Sequence, residues 1–177
     1  MKNSSQSRAE FVGDDREIVS VVRGADRAAT SDATVLIRGE SGAGKTMLAE
    51  RIHARSARAN RRLVTIHCGA LPESRLEGEL FGDTVATAIG STVVIDEVAE
   101  LPLRLQGMLV DMLERADRDM TTSDMRPTGV RVIATASRKL PEMVASGQFR
   151  EDLLLRLRVI ELAVPPLSPS AADGLMA

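Results

Sequence analysis

The chain has 177 residues, 44% of them hydrophobic and 27% charged, with a formal net charge of −2 at pH 7. That length fits one domain with its own core, and so small a net charge supplies no global field toward nucleic acid or an anionic membrane. The lone Cys68 excludes an internal disulfide, and the absence of Trp and Tyr removes the stacking platform of single-strand nucleic-acid binders.

Residues 1–10 are polar, carry no signal-peptide core, and read as a disordered lead-in. No stretch approaches membrane-spanning length, so a cytoplasmic protein without a membrane partner is expected. Asp14 to Ala29 is helix-compatible, with Ile18, Val21, Val22 and Ala25 near a helical period. Val35–Arg38 reads as a strand, and a helix is expected from Lys45 to about Ala57. Leu63–His67 is a second strand, Leu76–Phe81 a short helix, and Thr92–Asp96 a third strand, apolar on both faces as a central parallel strand should be. Pro102 to Glu114 carries Leu105, Met108, Leu109, Met112 and Leu113 on one helical stripe, with Pro102 suited to a helix start. Asp117–Gly129 is polar and patternless, hence loop. Val130–Thr135 is a fourth strand, Arg150–Leu157 a helix and Val159–Val164 a fifth strand, after which order fades. Strands alternating with helices predict an α/β protein whose parallel sheet is covered on both faces.

Between the first strand and its helix, Gly39-Glu40-Ser41-Gly42-Ala43-Gly44-Lys45-Thr46 spells G-x-x-x-x-G-K-[ST]. Backbone N–H groups of such a loop converge on an anion, and the helix N-terminus behind them adds partial positive charge. Gly42 and Gly44 can take backbone angles closed to bulkier residues, Lys45 supplies a point charge for β- and γ-phosphates, and the Thr46 hydroxyl can ligate Mg²⁺. The strand Val93-Val94-Ile95 ends in Asp96-Glu97, at the same sheet edge as that loop. Asp96 then suits a metal or its water, and Glu97 suits a general base for an attacking water. Arg150 and Arg156 lie six apart and do not share a helix face; they read either as solvated arginines beside Glu151 and Asp152 or as arginine fingers for a neighbouring subunit. His53, between Arg51 and Arg55, and the run Arg58, Arg61, Arg62 read as solvated surface, and Cys68 as a small core residue.

Several collinear strings over residues 11–167 resemble the AAA+ ATPase domain of bacterial sigma-54-dependent transcription activators: Gly39 to Lys45, Cys68-Gly-Ala-Leu-Pro-Glu-Ser, Glu77-Gly-Glu-Leu-Phe-Gly82, Gly90 to Glu97, Glu100-Leu-Pro-Leu, Gln106, Val130-Arg-Val-Ile-Ala, Gly147 to Leu153 and Pro165-Pro-Leu. The resemblance implies a P-loop NTPase, a three-layer α/β/α domain spanning 11–167 with a five-stranded parallel sheet in the AAA+ order, and a tail over 168–177. It implies ATP and Mg²⁺ as ligands, bound between subunits of a ring. It makes Asp96 and Glu97 the Walker B pair, Ser137 the sensor I residue, Arg150 and Arg156 the trans-acting arginines, and Val12-Gly13 a segment near the adenine.

The chain also departs from that family. Only Asp83–Ile89 stands where the family carries the long insertion with its sigma-54-gripping loop, which speaks against sigma-54 contact by that route. The sequence stops just past Pro165-Pro166-Leu167, before the family's helical lid and helix-turn-helix domain. No direct DNA binding is expected, because nothing reads as a recognition helix followed by a basic stripe. His67 replaces the Asn that partners the Walker B glutamate and reads either as a packed or solvated strand-end residue or as a hydrogen-bond partner of Glu97, while Ser137 is shorter than the usual sensor. Thr46 restores a hydroxyl where the family often has an acid. Two functions stay open: an ATP-binding AAA+ domain with slow hydrolysis on self-association, or a non-enzymatic regulator that binds ATP or a related activator. A small P-loop kinase is disfavoured, since no acceptor lid is visible.

Overall fold

The computed structural model describes residues 16–82, 90–119 and 129–166. The lead-in 1–10, Val12 and Gly13, the segment 83–89 and the tail 168–177 lie outside the described residues.

Helix α1 (Arg16–Ala28) leads into β1 (Val35–Arg38) and α2 (Lys45–Ala54). Then come β2 (Leu63–His67), α3 (Glu73–Phe81), β3 (Thr92–Asp96) and a 3₁₀ turn (Val98–Glu100). The chain continues through α4 (Leu103–Asp119), β4 (Arg131–Ala136), α5 (Leu140–Ala145), α6 (Glu151–Leu157) and β5 (Ile160–Ala163). All strand pairs are parallel, in the order β2-β3-β4-β1-β5.

The central strands explain their own composition. A parallel strand covered on both faces sends alternate side chains to opposite cores. In β1, Leu36 joins one core while Val35 and Ile37 join the other; in β3, Val93 and Ile95 part from Val94 in the same way. One core is closed by α1 and α2 through Ala25, Leu48 and Ile52. The other is closed by α3, α4, α5 and α6, with Leu105, Leu109 and Leu113 of the α4 stripe pointing inward. Among the described residues no helix is long and apolar enough to cross a membrane.

Three readings of the sequence change. Helix α4 runs to Asp119, a turn past its last apolar residue, because Glu114-Arg115-Ala116 are good helix formers and no breaker intervenes. Helix α5 was not expected; it is only six residues long, with Pro141 in its first turn, and shows no periodicity to read. The basic residues of α2 and the following turns are not all surface. His53 is buried, its Nδ1 2.9 Å from Thr92 Oγ1. Arg58 is 1% exposed: Nε and Nη2 grip both oxygens of Asp32 at 2.9 and 3.0 Å, and Nη1 donates to the Ser91 carbonyl at 2.9 Å and to that of Gly129. A guanidinium tolerates burial when a carboxylate neutralises it and its N–H fork is filled.

Candidate functional site

The C-terminal ends of β1, β2, β3 and β4 share one edge of the sheet, and the loop after β1 crosses it. Gly39 extends the pairing with an N–H bond to the Ala136 carbonyl at 3.2 Å. A β-carbon on Gly39 would stand 2.9 Å from the Val164 carbonyl, so only glycine lets β1 leave the sheet here. Gly42 and Gly44 have φ of 80° and 90°, the left-handed region that L side chains resist. Gly44 caps α2 without any side-chain bond, and no acid occupies the first turn, so the N–H groups there face the cleft with the helix dipole behind them.

Lys45 is almost wholly buried by this turn. Its Nζ donates to the carbonyls of Gly39 (3.1 Å) and Glu40 (3.0 Å) and pairs with Glu97 Oε1 at 3.0 Å. The cleft is about 300 Å³, lined by Ser41, Gly42, Gly44, Lys45, Thr46, Met47, Asp96 and Glu97.

Two acids face Lys45 and Thr46 from the end of β3. Thr135 lies one step beyond the register pair Ile95↔Ala134 and so stands beside Asp96. Its hydroxyl accepts the Glu97 N–H at 3.0 Å, so its own proton goes to Asp96 Oδ1 at 2.7 Å. Thr46 Oγ1 reaches the same Asp96 oxygen at 3.4 Å, and His67 Nδ1 lies 2.9 Å from Oδ2. Burial pushes the Asp96 carboxyl up, but hydrogen bonds from Thr135 and His67 and the charge on Lys45 outweigh it and hold the group below the usual carboxylate range. Glu97 sits at φ 56°, the one positive φ among the described non-glycine residues. Its Oε2 accepts the backbone N–H and the hydroxyl of Ser137, both at 2.8 Å, so with Lys45 on Oε1 the carboxylate is held at both ends.

His67 thus meets Asp96 and not Glu97: β2 and β3 pair His67↔Asp96, whereas Glu97 has already turned out of the strand. Ser137 meets the glutamate itself. Cys68 is buried, and burial with the nearby charges of Asp96, Glu97 and Glu100 pushes its thiol up to about 12, which suits a core residue and not a nucleophile. Arg150 and Arg156 are not in the cleft. Arg150 forms a two-point pair with Asp152 (3.0 and 2.7 Å) and Arg156 reaches Glu114 at 2.5 Å. The residue the sequence reading missed is Thr135; its signal is a lone hydroxyl in the apolar run 132–136, level with an acid on the next strand.

Among the described residues no group of three or more His, Cys, Asp or Glu is placed to hold a metal alone. A hydroxyl and one carboxylate, Thr46 and Asp96, instead form the sparse oxygen set that suits Mg²⁺, which fills its remaining positions with phosphate and water.

The family model described as Sigma-54 interaction domain matches residues 11–163. The transcriptional regulatory protein FlbD of Caulobacter vibrioides is 37% identical over 174 residues, which cover 90% of this chain and 38% of FlbD, so the chain spans well under half of that relative. The crystal structure of NtrX from Brucella abortus in complex with ATP is similar at a TM-score of 0.80 and 32% identity, covering 94% of this chain and 42% of that one; NtrX is also known in complex with ADP. The P-loop NTPase domain of an Escherichia coli sigma-54 activator shares the fold at a TM-score of 0.64 and 22% identity, covering 89% of this chain and all of that one.

Proposed function

This chain belongs to the Sigma-54 interaction domain family and carries its AAA+ P-loop fold, and from that premise we propose that it binds ATP with Mg²⁺ and hydrolyses it slowly when subunits associate, as the nucleotide-driven part of a transcription regulator. One observation carries the reading: the glycine loop, the buried Lys45, the Thr46 hydroxyl and the acids Asp96 and Glu97 converge on a single cleft. Residues Gly39 to Thr46 wrap the phosphates, and Thr46 and Asp96 would hold a magnesium ion, whose charge would offset that of the phosphates. Phosphate oxygens take over Lys45 from Glu97. That exchange frees Oε1 to accept a proton from water, while Ser137 keeps the other oxygen fixed. His67 orients Asp96 from the far side. The family resemblance assigns Val12 and Gly13, which lie outside the described residues, to the adenine. Arg150 and Arg156 act on a neighbouring subunit's nucleotide, for which they must exchange Asp152 and Glu114 for phosphate oxygens.

A second reading has an observation of its own. Glu97 is held at both carboxylate oxygens and at its N–H; a glutamate that never leaves those partners makes a nucleotide-binding regulator of a related activator, with no turnover. Contact with sigma-54 through residues 83–89 is not part of either reading, since only that short stretch of sequence stands where the family carries its long insertion.

Titration with ATP and Mg²⁺ should show binding that Lys45→Ala abolishes. Hydrolysis per subunit should then rise with protein concentration, and Arg150→Ala should lower it by about 10³-fold, the scale of a lost arginine finger. A rate that stays flat with concentration and equals that of Glu97→Gln leaves only the regulator reading. Unchanged affinity in Lys45→Ala removes both.

A further inference from the structure

The strongest polar structure outside the cleft is a single side-chain amide. Gln106, in the first turns of α4, is fully buried. Its Oε1 accepts the backbone N–H of Arg150 at 2.8 Å, and its Nε2 donates to the carbonyls of Leu101 (2.8 Å) and Gln148 (3.2 Å). Both donors and the acceptor of the amide are therefore used. Toward residues 148–150 it acts as one more peptide of a strand, taking an N–H and filling a C=O. Arg150 is the N-cap of α6, and its N–H has no partner within that helix. Leu101 closes the 3₁₀ turn that Glu97 begins. Beside Gln106, Gly107 lies against the arginine head: a β-carbon there would stand 3.6 Å from Arg150 Nη1, an ordinary contact distance.

We propose that Gln106 is the positioning residue for Arg150, holding its backbone N–H against the start of α4. This rests on the reading of Arg150 as an arginine lent to the next subunit. One turn of α4 then fixes the backbone of that arginine, while Asp152 holds its guanidinium. A buried glutamine that merely filled space would be replaced by leucine without consequence for Arg150. Here leucine leaves the Arg150 N–H and two carbonyls without their partner, and small misplacements of a catalytic group are costly.

The test is complementation in trans. Lys45→Ala protein keeps Arg150 but lacks a working cleft; Arg150→Ala protein keeps the cleft but lends no arginine. Their mixture should hydrolyse ATP. Adding Gln106→Leu to the Lys45→Ala chain should lower the mixture's rate by about 10²-fold, whereas adding it to the Arg150→Ala chain should leave the rate within about twofold. In the otherwise unaltered chain, Gln106→Leu should speed hydrogen exchange at the Arg150 amide by about tenfold or more. Equal losses from either chain, or an Arg150 amide as protected as before, overturn the proposal. A starting mixture that is inactive, with the Arg150 amide released by Gln106→Leu, counts against the lent arginine and not against the hold of Gln106 on it. Gln106→Met, close in volume and adaptable in shape, replaces the leucine variant if that one does not fold.

Discussion

Thr135 is the residue that binds the two acids of the cleft into one unit. Its hydroxyl donates to Asp96 and accepts from the N–H of Glu97, a residue held at a left-handed φ. Thr135→Val keeps the branched shape, deletes both bonds and strands a polar N–H where Thr135 itself is fully buried. The variant should lose about 1–3 kcal/mol of stability in urea unfolding, and Thr135→Ser, which keeps the hydroxyl, should recover most of it. Equal midpoints for Val and wild type would mean that the hydroxyl bears no such bonds. At this scale the glycine loop was legible, because Gly42 and Gly44 announce a backbone only glycine adopts freely. Thr135 was not, since threonine in a strand is ordinary β-propensity until the neighbouring strand's acid is known. His67 was legible as a site neighbour, but spacing alone could not choose between Asp96 and Glu97; strand register did.

Elements were read where a period repeats and lost where it does not. The central strands follow from short unbroken apolar runs and the α4 stripe from helical spacing, whereas the six-residue α5 is too short to show either. Loops posed a different difficulty. The turns after α2 carry Arg58, Arg61 and Arg62 as a charge run, and nothing local marks Arg58 as the buried one. Its partners come from distant segments: Asp32 before β1, Ser91 before β3 and Gly129 before β4. Arg58 thereby fastens the entrances of three strands with one planar head. Arg58→Met should cost about 3 kcal/mol, the scale of a buried ion pair robbed of one partner, read as a lower urea midpoint. Arg58→Lys should recover little, because a point charge cannot reproduce the two-point grip on Asp32. A lysine variant with wild-type stability would show that charge alone, without the fork, suffices.

Seen whole, the sheet has two unlike ends. Its C-terminal edge carries the cleft with its partly open acids, and its N-terminal edge encloses a basic cluster in which His53, Arg58 and Arg131 are all buried. Arg131 donates Nη2 to the Ala28 carbonyl at 2.7 Å, while its Nε and Nη1 have no hydrogen-bond partner among the described residues. A third positive charge is unwelcome there. Burial, aided by Arg131 and opposed by a backbone hydrogen bond from His53 to Arg61, holds the His53 imidazole below its ordinary range. The unfolded chain therefore takes up a proton at this residue near pH 6.5, roughly the free-histidine value, while the folded chain does so only at lower pH. Stability from a neutral His53 is complete above that value and drains away as pH falls below it, since the unfolded state then binds more protons. Asp26, held low by its hydrogen bond from Arg51, adds a further loss once pH enters the carboxylate range. Thermal unfolding should accordingly show a level Tm from about pH 8 to pH 7 and a decline from about pH 6.5 toward pH 5, each lost kcal/mol lowering Tm by about 2–4 °C for a domain of this size. His53→Asn cannot take up that proton and still offers Thr92 a hydrogen bond, so it should flatten the decline between pH 6.5 and pH 5, roughly the histidine window, and leave the carboxylate-range loss in place. The same slope in both proteins would assign the acid sensitivity to other groups and remove His53 from the account.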